Sequence, residues 1–136
     1  MRTVLCAISL AAVGACGTTE RLTQPRASFS HVVAPPRYRV ATLPTLGGKV
    51  IGKGSYRPGW KWSRTTGGRR MPAHVGVVLS GRAKARDSEG HETDLLPGDF
   101  FHLRTASDVW VVGYRSCEIL YVSGVQDLIH ELQRLQ

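Results

Sequence analysis

Between His74 and Trp110 the apolar positions come in short runs broken by turn residues. Val75 to Leu79 is apolar and mostly β-branched, and Ser80-Gly81 stops it; this predicts a buried strand ending in a turn. Arg82-Ala83-Lys84-Ala85-Arg86 alternates long cations with alanine, so one face is solvated and the other packs. Asp87 to Gly90 is a polar turn with a glycine available for positive φ. Glu92 to Leu96 returns, Pro97-Gly98-Asp99 turns the chain again, and Phe100 to Leu103 and Asp108 to Gly113 continue the series. Asp99 has a backbone role there, its carboxylate accepting amide N–H groups in the turn. Short strands at this spacing predict an all-β sandwich or barrel.

The same pattern extends to both sides. Tyr38 to Leu43 and Lys49 to Tyr56 are the first strands, separated by the Gly47-Gly48 turn, and Cys117 to Val122 is the last. Trp60 to Thr65 reads as a further strand, with Trp60, Trp62 and Arg64 on one face and Lys61, Ser63 and Thr65 on the other. Beyond it the period changes. Val125, Leu128, Ile129, Leu132 and Leu135 follow helical spacing, with Ser123 and Gln126 placed as a capping box. This short C-terminal amphipathic helix, 124–136, must bury its stripe on its own barrel or against a second copy in a homodimer.

The first 37 residues stand apart. Arg2 is followed by the apolar run Val4 to Ala15, too short to span a bilayer, and small residues lead up to Cys16. Residues 1–16 resemble a bacterial lipoprotein signal, with Cys16 as the lipidation site and new amino terminus. That places the protein at the cell envelope, membrane-bound only through a lipid anchor. A mis-chosen start codon or a disordered leader is the other reading, and it leaves the protein cytoplasmic. Residues 17–37, rich in Ser, Thr and Pro, read as a disordered tether. Residues 38–123 are then the barrel. With Cys6 and Cys16 in the leader, Cys117 is left without an intramolecular partner and reads as a small buried hydrophobe.

Composition is that of one small globular domain: 136 residues, 42% hydrophobic. The net charge of +8 is unevenly spread. Arg21 to Arg86 holds fourteen Lys or Arg and no acid; from Asp87 on there are nine acids and three basic residues. A jelly roll sets early and late strands side by side, so the two halves can pair locally. A basic sheet for nucleic acid is the less favoured reading, because no recognition helix or zinc-finger spacing accompanies it.

Val78-Leu79-Ser80-Gly81 and then Pro97-Gly98-Asp99 resemble the two-motif core of the cupin superfamily. Arg57-Pro58-Gly59-Trp60-Lys61-Trp62-Ser63 is similar to the PGWRWS segment of a small single-domain cupin group, and Asp108 to Gly113 to its HDAWVVG segment. The resemblance covers Tyr38 to Gly124 and implies a cupin-like double-stranded β-helix, a jelly-roll barrel with a pocket in its mouth. It also implies a degenerate metal site. His74 falls near the motif's glutamate, Thr65 stands where the group has a histidine, and Ser107 replaces the last motif histidine. One imidazole does not hold a metal.

In that register the ligand-binding set is Lys61, Ser63, Thr65, Arg69, His74, Val78 and Asp108, with Gly76 leaving space beside His74. The tryptophans pack outside this pocket or line it as a platform. Arg69 sits in the mobile basic loop Gly67 to Arg70, which can clamp an anion. The leading functional reading is metal-free binding or sensing of a small polar or anionic molecule. One alternative is a metal-dependent enzyme of oxygenase or isomerase type, holding a divalent transition metal with His74, His102 and Asp108. The other is an envelope protein-interaction module, which a filled barrel would favour.

Overall fold

The computed structural model describes residues 30–33, 35–46 and 49–135. The leader, Cys16 and residues 17–29 of the tether lie outside the described residues. Within the tether, Ser30–Val33 forms a strand, β1, contrary to the disordered reading; it pairs antiparallel with β2, Tyr38–Leu46. The signal was missed because a four-residue edge strand has no periodicity of its own and takes its order from its neighbour.

β3, Lys49–Tyr56, follows, and then one helical turn, α1, Trp62–Thr66. The later strands are β4 His74–Ser80, β5 Arg82–Arg86, β6 Glu92–Leu95, β7 Phe100–Leu103, β8 Asp108–Val112 and β9 Cys117–Ser123. Two antiparallel sheets result, ordered β1-β2-β3-β9-β4-β7 and β6-β5-β8. Period-2 alternation decides what fills the space between them. His74, Gly76 and Val78 of β4, Ala83 and Ala85 of β5, Phe101 and Leu103 of β7, Val109 and Val111 of β8, and Cys117, Ile119 and Tyr121 of β9 are all buried.

Trp60 to Thr65 is not the expected strand. Lys61 makes one isolated bridge to Trp110, and the chain then turns into α1. The reasons are non-local. The Asp108 carboxylate accepts the Ser63 backbone N–H at 3.0 Å and the Ser63 hydroxyl at 2.8 Å. The Trp62 indole donates to the Arg69 carbonyl at 2.7 Å. A helical turn breaks the shared face on which Lys61, Ser63 and Thr65 were grouped, since helix neighbours are three and four apart.

The last helix, α2, spans Val125–Gln133 and buries Val125, Leu128, Ile129 and Leu132 against β1, β2 and β3 of its own barrel. The expected capping box does not form. β9 runs on through Ser123, and Gly124 occupies the N-cap position at φ 81 with no side-chain cap bond.

Candidate functional site

The barrel interior is the first place to look for a site; it is closely packed around His74, while on the β6–β7 side Ala85, Leu95, Phe101, Leu103, His102 and Ser107 line a cleft of about 520 Å³. Tyr56, Trp60, His74, Phe101 and Tyr121 surround a void of only about 10 Å³, at the limit of what holds one water. The space that Gly76 was expected to leave beside His74 is taken by Phe101. A Cβ at Gly76 would come within 2.9 Å of both the Phe101 ring and the Leu120 carbonyl oxygen. Trp60 reaches the interior while Trp62 is buried at 2% exposure against the loop it bonds. The two tryptophans therefore divide between the two roles expected of the pair.

His74 is 4% exposed. Its ring lies edge-on to Phe101 and Tyr121, with centroids 6.0 and 5.4 Å away. Nδ1 is 2.9 Å from the Pro72 carbonyl oxygen, which can only accept, so Nδ1 carries the proton. Burial pushes the His74 pKa down, the Pro72 carbonyl opposes this, and His102 adds a small further lowering. The folded pKa lies below the ordinary 6.5, so between the two values the unfolded chain binds more protons and stability rises with pH. Acidification below about pH 6.5 is expected to erode stability by at most about 1.4 kcal/mol per pH unit. Thermal unfolding of wild type and His74→Gln between pH 5 and 8 tests this: the wild-type advantage shrinks on the acid side.

Beside His74, the Tyr56 and Tyr121 hydroxyls lie 2.5 Å apart, fully enclosed. Burial raises both pKa values, so both stay protonated. Either single change to Phe strands the partner hydroxyl and is expected to cost about 1–3 kcal/mol. Changing both is expected to cost less than the sum of the two, which a double-mutant cycle in urea measures. Cys117 is fully buried, and desolvation pushes its thiol up to about 11; it packs as a hydrophobe and is no nucleophile.

The residues expected to converge in the mouth are dispersed. In β4–β7, His74 opposes Leu103 and Val75 opposes His102. Directly paired residues share a face, so His102 points out where His74 points in. Asp108 lies on the outer face of β8, tied to Ser63 and, at 3.6 Å, to Lys61. Among the described residues, His74, His102 and Asp108 do not come together as a ligand set. Val78 is buried core. Arg69 is drawn away from the mouth to Glu131 of α2, at 3.4 Å. Lys61, Ser63 and Asp108 do come together, but outside the barrel. There Lys61 sits 4.7 Å above the Trp110 ring, and Arg86 lies 5.4 Å from the same ring.

Among the described residues, one other group has metal-ligating chemistry: Asp87, Glu89 and His91, with ligand atoms within 4.8 Å of one another. It sits in the exposed β5–β6 turn, where Asp87 accepts the backbone N–H groups of Glu89 and His91 at 2.9 Å each. Those bonds close the turn by themselves. Asp99 does the same for its own turn, accepting the Leu96 N–H at 2.8 Å.

The charge asymmetry pairs up across strands. Lys53 meets Glu118, Lys84 meets Glu92 and Asp94, and Arg86 meets Glu92. No helix among the described residues is long and apolar enough to cross a membrane.

Periodicity did not reveal a cleft on the outside. Pro35 to Tyr38 faces Gly59 to Thr65 across about 510 Å³, with Thr65 at its edge. Trp60 lines both this cleft and the interior void. The Pro35-Pro36 pair and the tryptophan phrase were each visible, but not their juxtaposition.

Two packed antiparallel sheets with a short C-terminal helix make this a small cupin-like fold. Among solved structures it is similar to a protein of unknown function from Rhizobium leguminosarum bv. viciae (TM-score 0.57, 19% identity, covering 77% of this chain and 97% of that one). It is also similar to KdgF from Halomonas sp. (0.55, 15%, 82% and 99%). A third is Drosophila melanogaster CENP-C, solved bound to CAL1 (0.58, 10%, 75% and 85%). No protein-family model and no curated protein sequence matches the chain.

Proposed function

We propose that this protein is a binding module of cupin-like fold that meets its ligand on the outside of a barrel packed solid around His74 and runs no metal chemistry at that histidine. The observation that carries this is the interior: Phe101, Trp60 and the Tyr56–Tyr121 pair occupy the volume a ligand would need. The inward His74 imidazole bonds a backbone carbonyl among aromatic rings. The CENP-C neighbour, solved bound to CAL1, supports a fold of this shape serving as a platform. The apolar run ending at Cys16 supports a place at the cell envelope.

The test uses the full chain, purified without chelator or histidine tag and titrated with Fe²⁺, Mn²⁺ and Zn²⁺ by calorimetry. Wild type and His74→Gln are expected to give the same isotherms. One metal per chain, lost in His74→Gln, overturns the reading.

A further inference from the structure

The cleft between Pro35–Tyr38 and Gly59–Thr65 has the makings of a specific site. Pro35, Pro36, Tyr38 and Trp60 give it apolar walls. Arg37, Lys61 and Arg64 line it, and no Asp or Glu does. Lys61 is engaged by Asp108 and Trp110. Arg37 and Arg64 are exposed, with no acidic partner among the described residues. The volume suits a small organic molecule.

Trp60 supplies a reporter beside the cleft. Among the described residues, the Trp60 Nε1–H is the buried side-chain donor that finds no acceptor. Leaving such a group unpaired costs about 1–3 kcal/mol. Trp60 lines the cleft as well as the interior void, so its indole N–H resonance reports on what binds in the cleft.

We propose that this cleft binds a small anion with an apolar body: a carboxylate held by the Arg37 and Arg64 guanidinium forks, its apolar part against Pro35, Tyr38 and Trp60. Guanidinium matches a carboxylate bidentately, and the proline and aromatic walls accept a ring or alkyl chain without a polar partner. This rests on the reading above that ligands meet the barrel from outside.

The experiment follows the Trp60 indole N–H resonance in ¹⁵N spectra of the full chain. 3-Phenylpropionate is titrated in, with 3-phenylpropylamine and inorganic phosphate as comparisons. The expected result is a saturable Trp60 shift with 3-phenylpropionate, weakened at least tenfold in Arg37→Gln/Arg64→Gln, whose exposed positions leave folding intact. The amine is expected to give no shift, and phosphate at least tenfold weaker binding. No saturable shift, an equal response to the amine or to phosphate, or unchanged affinity in the double variant overturns the proposal. Binding lost in His74→Gln but kept in the arginine variant would put the ligand inside the barrel, and would overturn the exterior reading itself.

Discussion

Replacing Phe101 with alanine is expected to destabilise the protein by about 3–5 kcal/mol, the usual cost of deleting a buried ring. Phe101 is 8% exposed and belongs to the single core that joins both sheets. Its ring packs over Gly76 and edge-on to His74. The backbone of β7 is held by its ladder with β4, so the site relaxes only in part and an apolar cavity opens beside a void of about 10 Å³. Apolar cavities of that kind stay dry and take up benzene. Benzene is therefore expected to raise the Tm of Phe101→Ala and leave wild type unmoved, by the mass action of a ligand that binds only the folded state. A cost under about 1 kcal/mol, with no rescue by benzene, would mean the ring is not the plug, and the filled-barrel reading would go with it.

The second large effect is expected at Gly81, the single residue between β4 and β5. Its φ of 74° is in the left-handed region, where a Cβ costs about 1–2 kcal/mol. A Cβ there would also collide with the Ser116 carbonyl oxygen and approach the Cys117 Cα to 2.7 Å. These are backbone atoms where the chain enters β9, and they cannot swing aside; overpacking of this sort costs a further 1–3 kcal/mol or so. Gly81→Ala is therefore expected to lower stability by about 3 kcal/mol in urea unfolding. Gly90→Ala is the control. Gly90 has a φ of 94° but nothing within 4 Å of its Cβ position, so only the conformational part is lost. Equal losses at both positions would show that the contact with β9 is not as described.

Much of the fold was legible because strands write themselves in local alternation. Each strand expected from Tyr38 onward, apart from Trp60 to Thr65, stands within a few residues of its place. The helical stripe from Val125 to Leu132 is buried as its spacing required. The exception fails for a reason that local reading cannot reach: the Asp108 carboxylate that accepts the Ser63 amide is 45 residues away. Local reading likewise leaves open which side of its strand His102 takes. Alternation shows that Phe100 and His102 share a face, but the pairing of His74 with Leu103 decides which face looks inward.

By itself, then, the sequence determined the all-β architecture, the turns at Ser80-Gly81 and Pro97-Gly98-Asp99, and the helical tail. These depend on residues within a few positions of one another, where sterics and period act directly. Only the tertiary structure decided that the interior around His74 is filled, because filling depends on volumes contributed from Tyr56, Phe101 and Tyr121, far apart in the chain. It also decided that Lys61, Ser63 and Asp108 meet outside the barrel, and that Arg37 and Arg64 share a cleft over Trp60. Which side chains share a space is set by register between strands and by packing, and one residue of slip would exchange the inside for the outside.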